Sequence, residues 1–346
     1  MIHSHGPQEG PDSRPTLNPS ARMLWRSPKQ VQIELGERRI VIDGVDQPGA
    51  RLLTGQALDD VTRRGALDEA LDMLSAAGFL VRHPASNRTV QVPRLAADLA
   101  AMRVRHGERA DDLLANRRAA TVAVNGTSRV AAMVGALLAA AGIGHVAASG
   151  AGEVRLHQAA PGGVTPNDEG QRFAKAAGAA ILRVAPDCDI SSLPIGFSPD
   201  LVVLAVDCPV DTEVRDALHA RAVPHLVAWA GADRGVVGPL ALPGVASCLR
   251  CADLHRLDRD YAWSALAVQL SVPPRHGQPS DVSLASLVAS ITALQALEFL
   301  AGEDPPTIEG TLEVHLPDWR VRRRSWAPHP ECDCGALTAQ NVGWAQ

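Results

Sequence analysis

The sequence predicts a mostly parallel, doubly wound α/β sheet with a metal-stapled C-terminal region, preceded by a small winged-helix-like α+β domain. Three observations carry this expectation. From 120 to 229, short apolar runs alternate with helical patterns, the signature of a parallel sheet. Between 30 and 81, an alternating hairpin precedes amphipathic helices. Two close cysteine pairs, Cys248 with Cys251 and Cys332 with Cys334, stand about eighty residues apart.

A chain of 346 residues suggests two domains. The boundaries expected are a flexible lead-in at 1–25, a winged-helix-like domain at 26–90, a linker or helix at 91–105, and the α/β domain at 106–346. Hydrophobic content of 46% supports a real core, and aromatic content of 3% means that Ala, Val and Leu build it. Net charge is -5 with mixed signs along the chain, which excludes a basic footprint for nucleic acid. The first residues lack the apolar stretch of a signal peptide, and no apolar run reaches the roughly 20 residues that span a bilayer. A cytoplasmic protein without membrane contact is therefore expected, and there six cysteines read as metal ligands or free thiols.

In chain order, QVQIELGERRIVI (30–42) alternates around Gly36 and reads as a β-hairpin with Val31, Ile33 and Leu35 on one side. Short helices at 49–53 and 57–63 precede ALDEALDMLSAA (66–77), whose apolar stripe includes Leu67, Leu71 and Leu74 and stops at Gly78. Strand 79–81 follows, then a linker at 84–94 in which Val90 to Val92 is a candidate wing strand. Two helices lead into strand 120–125, a turn, and a small-residue helix at 129–141. Strands are expected at 145–148, 180–185, 201–206 and 224–229, with helices at 168–177 and 211–220. A glycine-rich stretch (231–244), one helix from 251 to 270, a loop (272–280), an apolar helix (282–301) and strands 308–315 and 319–324 complete the pattern. Trp263, Trp319 and Trp326 are expected to fill the core and the last strands.

SCLRCAD and HPECDCG each place two thiolates on a tight turn, and four thiolates suit tetrahedral structural zinc. The alternative is a redox CxxC with an unrelated second pair. Cys188 and Cys208 stand alone and read as buried hydrophobes. The strand–turn–helix ATVAVNGTSRVAAMVGALLAAAGIG has the order that cradles phosphates at a helix N-terminus, although the glycine fingerprint runs Gly126, Ser128, Ala131. Asp207 closes a strand at the crevice where such sheets bind ligands, or it caps the following helix. The run LHRLDRD, with Asp253, His255, Asp258 and Asp260, reads as an ion-paired helix face or as a set of acids and bases.

The helix ending AAAGIG, the strand DLVVLAVD, the run GVVGPLALPGVASCLRC and the late HPxCxC together resemble the ThiF/MoeB superfamily, relatives of ubiquitin-activating enzymes, over roughly 110–340. CLRCADLHRLDRDYAW, with the opening PTLNPSARMLWRSPKQVQIEL, looks most like the ThiF-like proteins of thiazole/oxazole-modified peptide pathways, which carry an N-terminal peptide-recognition domain. The resemblance implies a Rossmann-like domain, structural zinc and a homodimer. Where such proteins adenylate a carboxylate, it places Gly126 at the first phosphate glycine, Asp207 at the magnesium aspartate and Lys175 near the lysine, with Arg172 adjacent. Three departures stand against ATP and magnesium as cofactors. Gly150 occupies the place of the ribose-binding acid, HQAAPGGV offers no phosphate arginine, and Ser128 replaces the second glycine. The function expected is capture of a precursor or leader peptide for a separate modifying enzyme, with contacts from Val31, Ile33, Leu35, Asp68 and Asp72 by β-augmentation. The alternatives are an ATP-dependent adenylating enzyme using Gly126, Lys175 and Asp207, and a DNA-binding module, which the acidic helix 66–77 opposes.

Overall fold

A computed structural model describes residues 16–54, 64–81, 92–207, 209–272 and 278–336. The chain divides into two units, 1–115 and 116–346.

The first unit opens with β1 (Thr16–Leu17) and a three-stranded antiparallel sheet of β2 (Arg22–Ser27), β3 (Gln30–Leu35) and β4 (Arg38–Asp43), in that order. The expected hairpin is β3–β4, with Gly36 at φ 60° in its two-residue turn. Helices α1 (Gln47–Leu53) and α2 (Arg64–Ala76) follow, then β5 (Leu80–Val81), which pairs antiparallel with β1. Helix α3 (Ala96–His106) is tied to the start of the unit, because Asn18 and Ser20 donate to the carbonyls of Arg103 and Ala100. Helix α4 (Ala110–Ala119) spans the division between the units.

Burial changes the expected role of the hairpin. Val31, Ile33 and Leu35 are 0%, 0% and 1% exposed and form the core with Ile42, Leu53, Leu74 and Phe79. Strand β3 also lies between β2 and β4, so its backbone edges are taken. A peptide added to this sheet has only β2 or β4 to pair with, and the three apolar side chains are core groups instead of contacts. Strand β2 escaped the sequence reading because nearly all of RMLWRS is exposed, which leaves no apolar alternation. On α2, Leu74 is buried and Asp72 exposed. The expected helix 57–63, most of the linker and wing segment 84–94, and the side chain of Asp68 lie outside the described residues.

The second unit is built on a seven-stranded sheet of order β12-β11-β10-β9-β8-β6-β7. In chain order its elements are β6 (Thr121–Asn125), α5 (Arg129–Ala140), β7 (His145–Ser149), α6 (Phe173–Val184), β8 (Leu201–Ala205), α7 (Thr212–Ala220), β9 (His225–Ala230), β10 (Arg234–Ala241), α8 (Leu249–Leu257), α9 (Trp263–Leu270), α10 (Val282–Leu300), β11 (Gly310–His315) and β12 (Val321–Ser325). Strands β6 to β9 are parallel and β10 to β12 antiparallel. Helices α5, α6 and α10 bury one face of the sheet, where a Cβ on Gly135 of α5 would already touch Ile181 of α6 at 3.2 Å. Small residues let these helices pack closely. Helices α7 and α8 contribute Leu218 and Leu249 to a core with Val202 and Leu204 on the other face.

Four expectations are corrected here. The run 180–185 is not a strand, because Ala180 and Ile181 continue the buried stripe of α6 begun at Phe173, Ala176 and Ala177. A six-residue apolar run cannot by itself separate strand from helix. The helix 251–270 breaks into α8 and α9 around Asp258–Ala262, and the glycine-rich stretch contains β10. Trp319 is exposed, whereas Trp326 is buried as expected. Among the described residues, α10 is long and apolar enough to cross a membrane, and half of it is buried against β9, β10 and α5.

Candidate functional site

The four cysteines converge. Cys248 occupies the N-cap of α8, Cys251 sits in its first turn, and the segment after β12 brings Cys332 and Cys334 to them. All four are buried, with Sγ–Sγ distances of 3.8, 3.7 and 3.6 Å for Cys248–Cys251, Cys248–Cys332 and Cys251–Cys334. A tetrahedral ion with metal–sulfur bonds of about 2.3 Å needs sulfurs about 3.8 Å apart, so the donor set fits a metal ion. Without a cation these thiols cannot all ionise. Cys251 is drawn down to about 4 by the hydrogen bond from Cys248, whose own thiol is pushed up by donating it, and burial pushes Cys332 up to about 12. A divalent ion would let all four be thiolates.

His255, Asp258 and His329 form a second cluster beside the first. Glu331 donates its amide to His329 Nδ1 at 3.1 Å, so His329 Nε2–H donates to Asp258 at 2.9 Å. With both nitrogens engaged, His329 braces the cysteine segment and leaves no lone pair for a metal. Asp253 pairs with Arg256 and Arg215, which favours the ion-paired reading of this helix.

The turn between β6 and α5 joins a strand end to a helix N-terminus, the order expected from the sequence. Gly126 is at φ 131°, and a Cβ there would lie 2.0 Å from the carbonyl oxygen of Ala205. Only glycine fits, and the contact seats the turn against the end of β8, two residues before Asp207. Ser128 occupies the N-cap of α5 without capping it, and its Oγ is buried with no hydrogen-bond partner among the described residues. A Cβ on Gly150 would meet Thr127 Cγ2 at 2.7 Å and the Gly126 carbonyl at 2.8 Å, so the turn itself fills the place of a side chain. Asp207 is half-buried, and burial lifts its carboxyl above the ordinary range, with His157 pulling partly back. Helix α7 is capped by Asp211, which accepts from the Glu213 amide, so the capping reading of Asp207 falls away. Lys175 is exposed on α6 and makes no ion pair among the described residues. The sequence reading overlooked Arg129, whose guanidinium, among the described residues, donates to the carbonyls of His157 and Ser280, at 2.9 and 2.8 Å.

Asp207 also lines a cavity of about 980 Å³ on the sheet face away from α10. Its walls are β9 to β12 and helices α8 and α9, with Trp229, Trp263 and Trp326 among six arginines: Arg215, Arg234, Arg250, Arg256, Arg259 and Arg324. Glu313 is buried in this wall. Burial opposes its charge, but Arg234 and Arg324 outweigh that and hold its carboxyl below the usual range. Trp326 donates to Thr311 Oγ1 at 3.1 Å, fixing its ring. The sequence traces of this wall are the basic run RVRRRSW and the charged run LHRLDRD with Trp263; Trp229, Arg234 and Glu313 come from strands distant in sequence.

No family model matches the sequence, and no curated protein matches it either. Solved structures do. E. coli MccB in complex with MccA-N7isoASN superposes with a TM-score of 0.69 at 13% identity, over 93% of this chain and 99% of that one. E. coli MccB with ATP gives 0.67 at 13% identity over 93% and 99%. PaaA gives 0.65 at 16% identity over 89% and 99%. The fold is therefore the ThiF/MoeB-like one that the sequence resemblance implied.

Proposed function

We propose that the protein binds a precursor peptide and presents it to a separate modifying enzyme, with a nucleotide turn too altered for efficient adenylation and with structural zinc in the four-cysteine site. The observation that carries this reading is the pairing of a closed ribose position at Gly150 with a large, open cavity beside Asp207. An acid cannot be accommodated at Gly150 without moving the turn, while the cavity has the volume and the mixed Trp–Arg walls of a peptide site. The peptide bound by MccB in its solved complexes agrees with this reading. In the first unit, the edges of β2 and β4 and the exposed face of α2 around Asp72 are where a leader segment would add. A cytoplasmic homodimer is part of the proposal.

The second reading is ATP-dependent adenylation of a carboxylate. Asp207 at the cavity favours it, as do the Ser128 hydroxyl at the α5 N-terminus and Arg129, the first without a hydrogen-bond partner and the second without a carboxylate among the described residues, and MccB has been solved with ATP. In that chemistry magnesium would be held by Asp207, and Arg129 would replace the missing phosphate arginine. Titration with ATP–magnesium separates the readings. The first expects affinity weaker than roughly millimolar, about −4 kcal/mol. Tighter binding lost in Arg129→Ala would favour the second.

A further inference from the structure

We propose that His219 and His225 form a second transition-metal site, two imidazoles beside the four-cysteine cluster, from which an ion passes to the cysteines. The inference rests on the metal reading of that cluster given above. The four thiols are buried, so an incoming ion needs a way in. A cavity of about 250 Å³ between α7, β9 and α8 reaches them, with Cys248 and Cys334 among its lining residues. His219, from the last turn of α7, and His225, the first residue of β9, line it too.

Each imidazole carries a nitrogen with nothing to bind. His225 is 1% exposed, and its Nδ1–H donates to the Val223 carbonyl at 2.9 Å. Burial pushes its pKa down and keeps the ring neutral, so Nε2 presents a bare lone pair. Among the described residues that Nε2 has no hydrogen-bond partner, and neither has Nδ1 of His219; both atoms are shut off from solvent. The two rings are close enough for a charge on His219 to disfavour one on His225. A backbone carbonyl that fixes one ring nitrogen leaves the other aimed as a metal ligand is aimed. A water molecule would stand about 3 Å from each nitrogen, whereas a metal ion bonds imidazole at about 2.0–2.1 Å and fits where water is excluded. The charged side chains around the cavity cancel in pairs, Arg215 with Asp216 at 2.8 Å and Arg250 with Asp333 at 2.5 Å, so no net positive charge repels a cation. Imidazole suits zinc, cobalt, nickel and copper and has little hold on magnesium or calcium. Four thiolates bind such an ion more tightly than two imidazoles. Metal–nitrogen bonds therefore give way to metal–sulfur bonds, and the thiol protons leave to solvent.

The test uses the full-length protein as purified, with cobalt(II) as the probe. One equivalent of cobalt beyond the cysteine site should bind saturably, with the weak visible bands of nitrogen and oxygen ligands, and magnesium(II) should not displace it. His219 is only half-buried, so His219→Gln should weaken that binding at least about tenfold without moving the melting temperature. His225→Gln should do the same, and where it lowers the melting temperature His219→Gln decides alone. On longer incubation cobalt should replace the ion in the cysteine site, read from the intense sulfur-to-cobalt charge-transfer band. His219→Gln should slow this replacement about fivefold or more. The proposal is overturned by the absence of the further equivalent, by binding or replacement indifferent to His219→Gln, or by displacement with magnesium. The reading of the cysteines fails separately, if the purified protein carries no metal and gives no charge-transfer band with cobalt.

Discussion

Gly150 shows how a single missing side chain becomes informative once its neighbours are known. The sequence offers only the absence of an acid, whereas the structure adds that Thr127 and the Gly126 carbonyl occupy the space. Gly150→Asp is therefore expected to lower stability by about 2 kcal/mol or more, as overpacking does, and to leave nucleotide affinity unimproved. Thermal melting and ATP titration check the two halves. Asp207 supplies a second prediction. Its folded-state carboxyl is raised by burial, so the stability tied to it is full at low pH and lost as pH rises through the raised value. Asp207→Asn should melt higher than the parent protein at pH 7, with the difference shrinking toward zero below pH 3.8, the ordinary aspartate value. Melting curves across pH measure it. Asp207 was visible in the sequence because it ends an apolar strand. Arg129 was not, because an arginine opening a helix looks like any solvated residue until its partners are seen.

The cysteine clamp was legible because its spacing is itself chemistry: two tight pairs imply one shared ion. Elemental analysis should find close to one zinc per chain. Cys248→Ser or Cys332→Ser should cost at least about 4 kcal/mol, in the range that marks loss of a metal site. Retention of the full melting temperature by metal-free protein would contradict this. In the first unit, Ile33→Ala should cost about 2–5 kcal/mol because the side chain is fully enclosed, whereas Asp72→Lys on the exposed face should change stability by less than about 0.5 kcal/mol. Denaturant unfolding distinguishes them. Parallel strands β6, β8 and β9 were readable since both faces are buried and their sequences are continuous apolar runs. Strand β2 was hidden by exposure, β10 by its Gly and Pro residues, and the end of α6 by an apolar run that suits either structure.

At the scale of the molecule, the order of elements across the second unit was written in local patterns, but the cavity was not. Its walls join Trp229, Arg234, Glu313 and Trp326, nearly a hundred residues apart in sequence, through the antiparallel register of β9 to β12. No local pattern encodes that meeting; it appears only when the sheet assembles. In the proposed function the two units would divide the labour, with a leader segment on the first and another part of the peptide at the cavity of the second. What separates presentation from catalysis is whether this cavity, lined by Asp207, ever activates a carboxylate. ATP–pyrophosphate exchange with candidate precursor peptides measures that step directly, in the parent protein and in Asp207→Ala. The presentation account expects exchange at background in both, alongside saturable peptide binding. Robust peptide-dependent exchange that Asp207→Ala abolishes would contradict it and establish adenylation as the function.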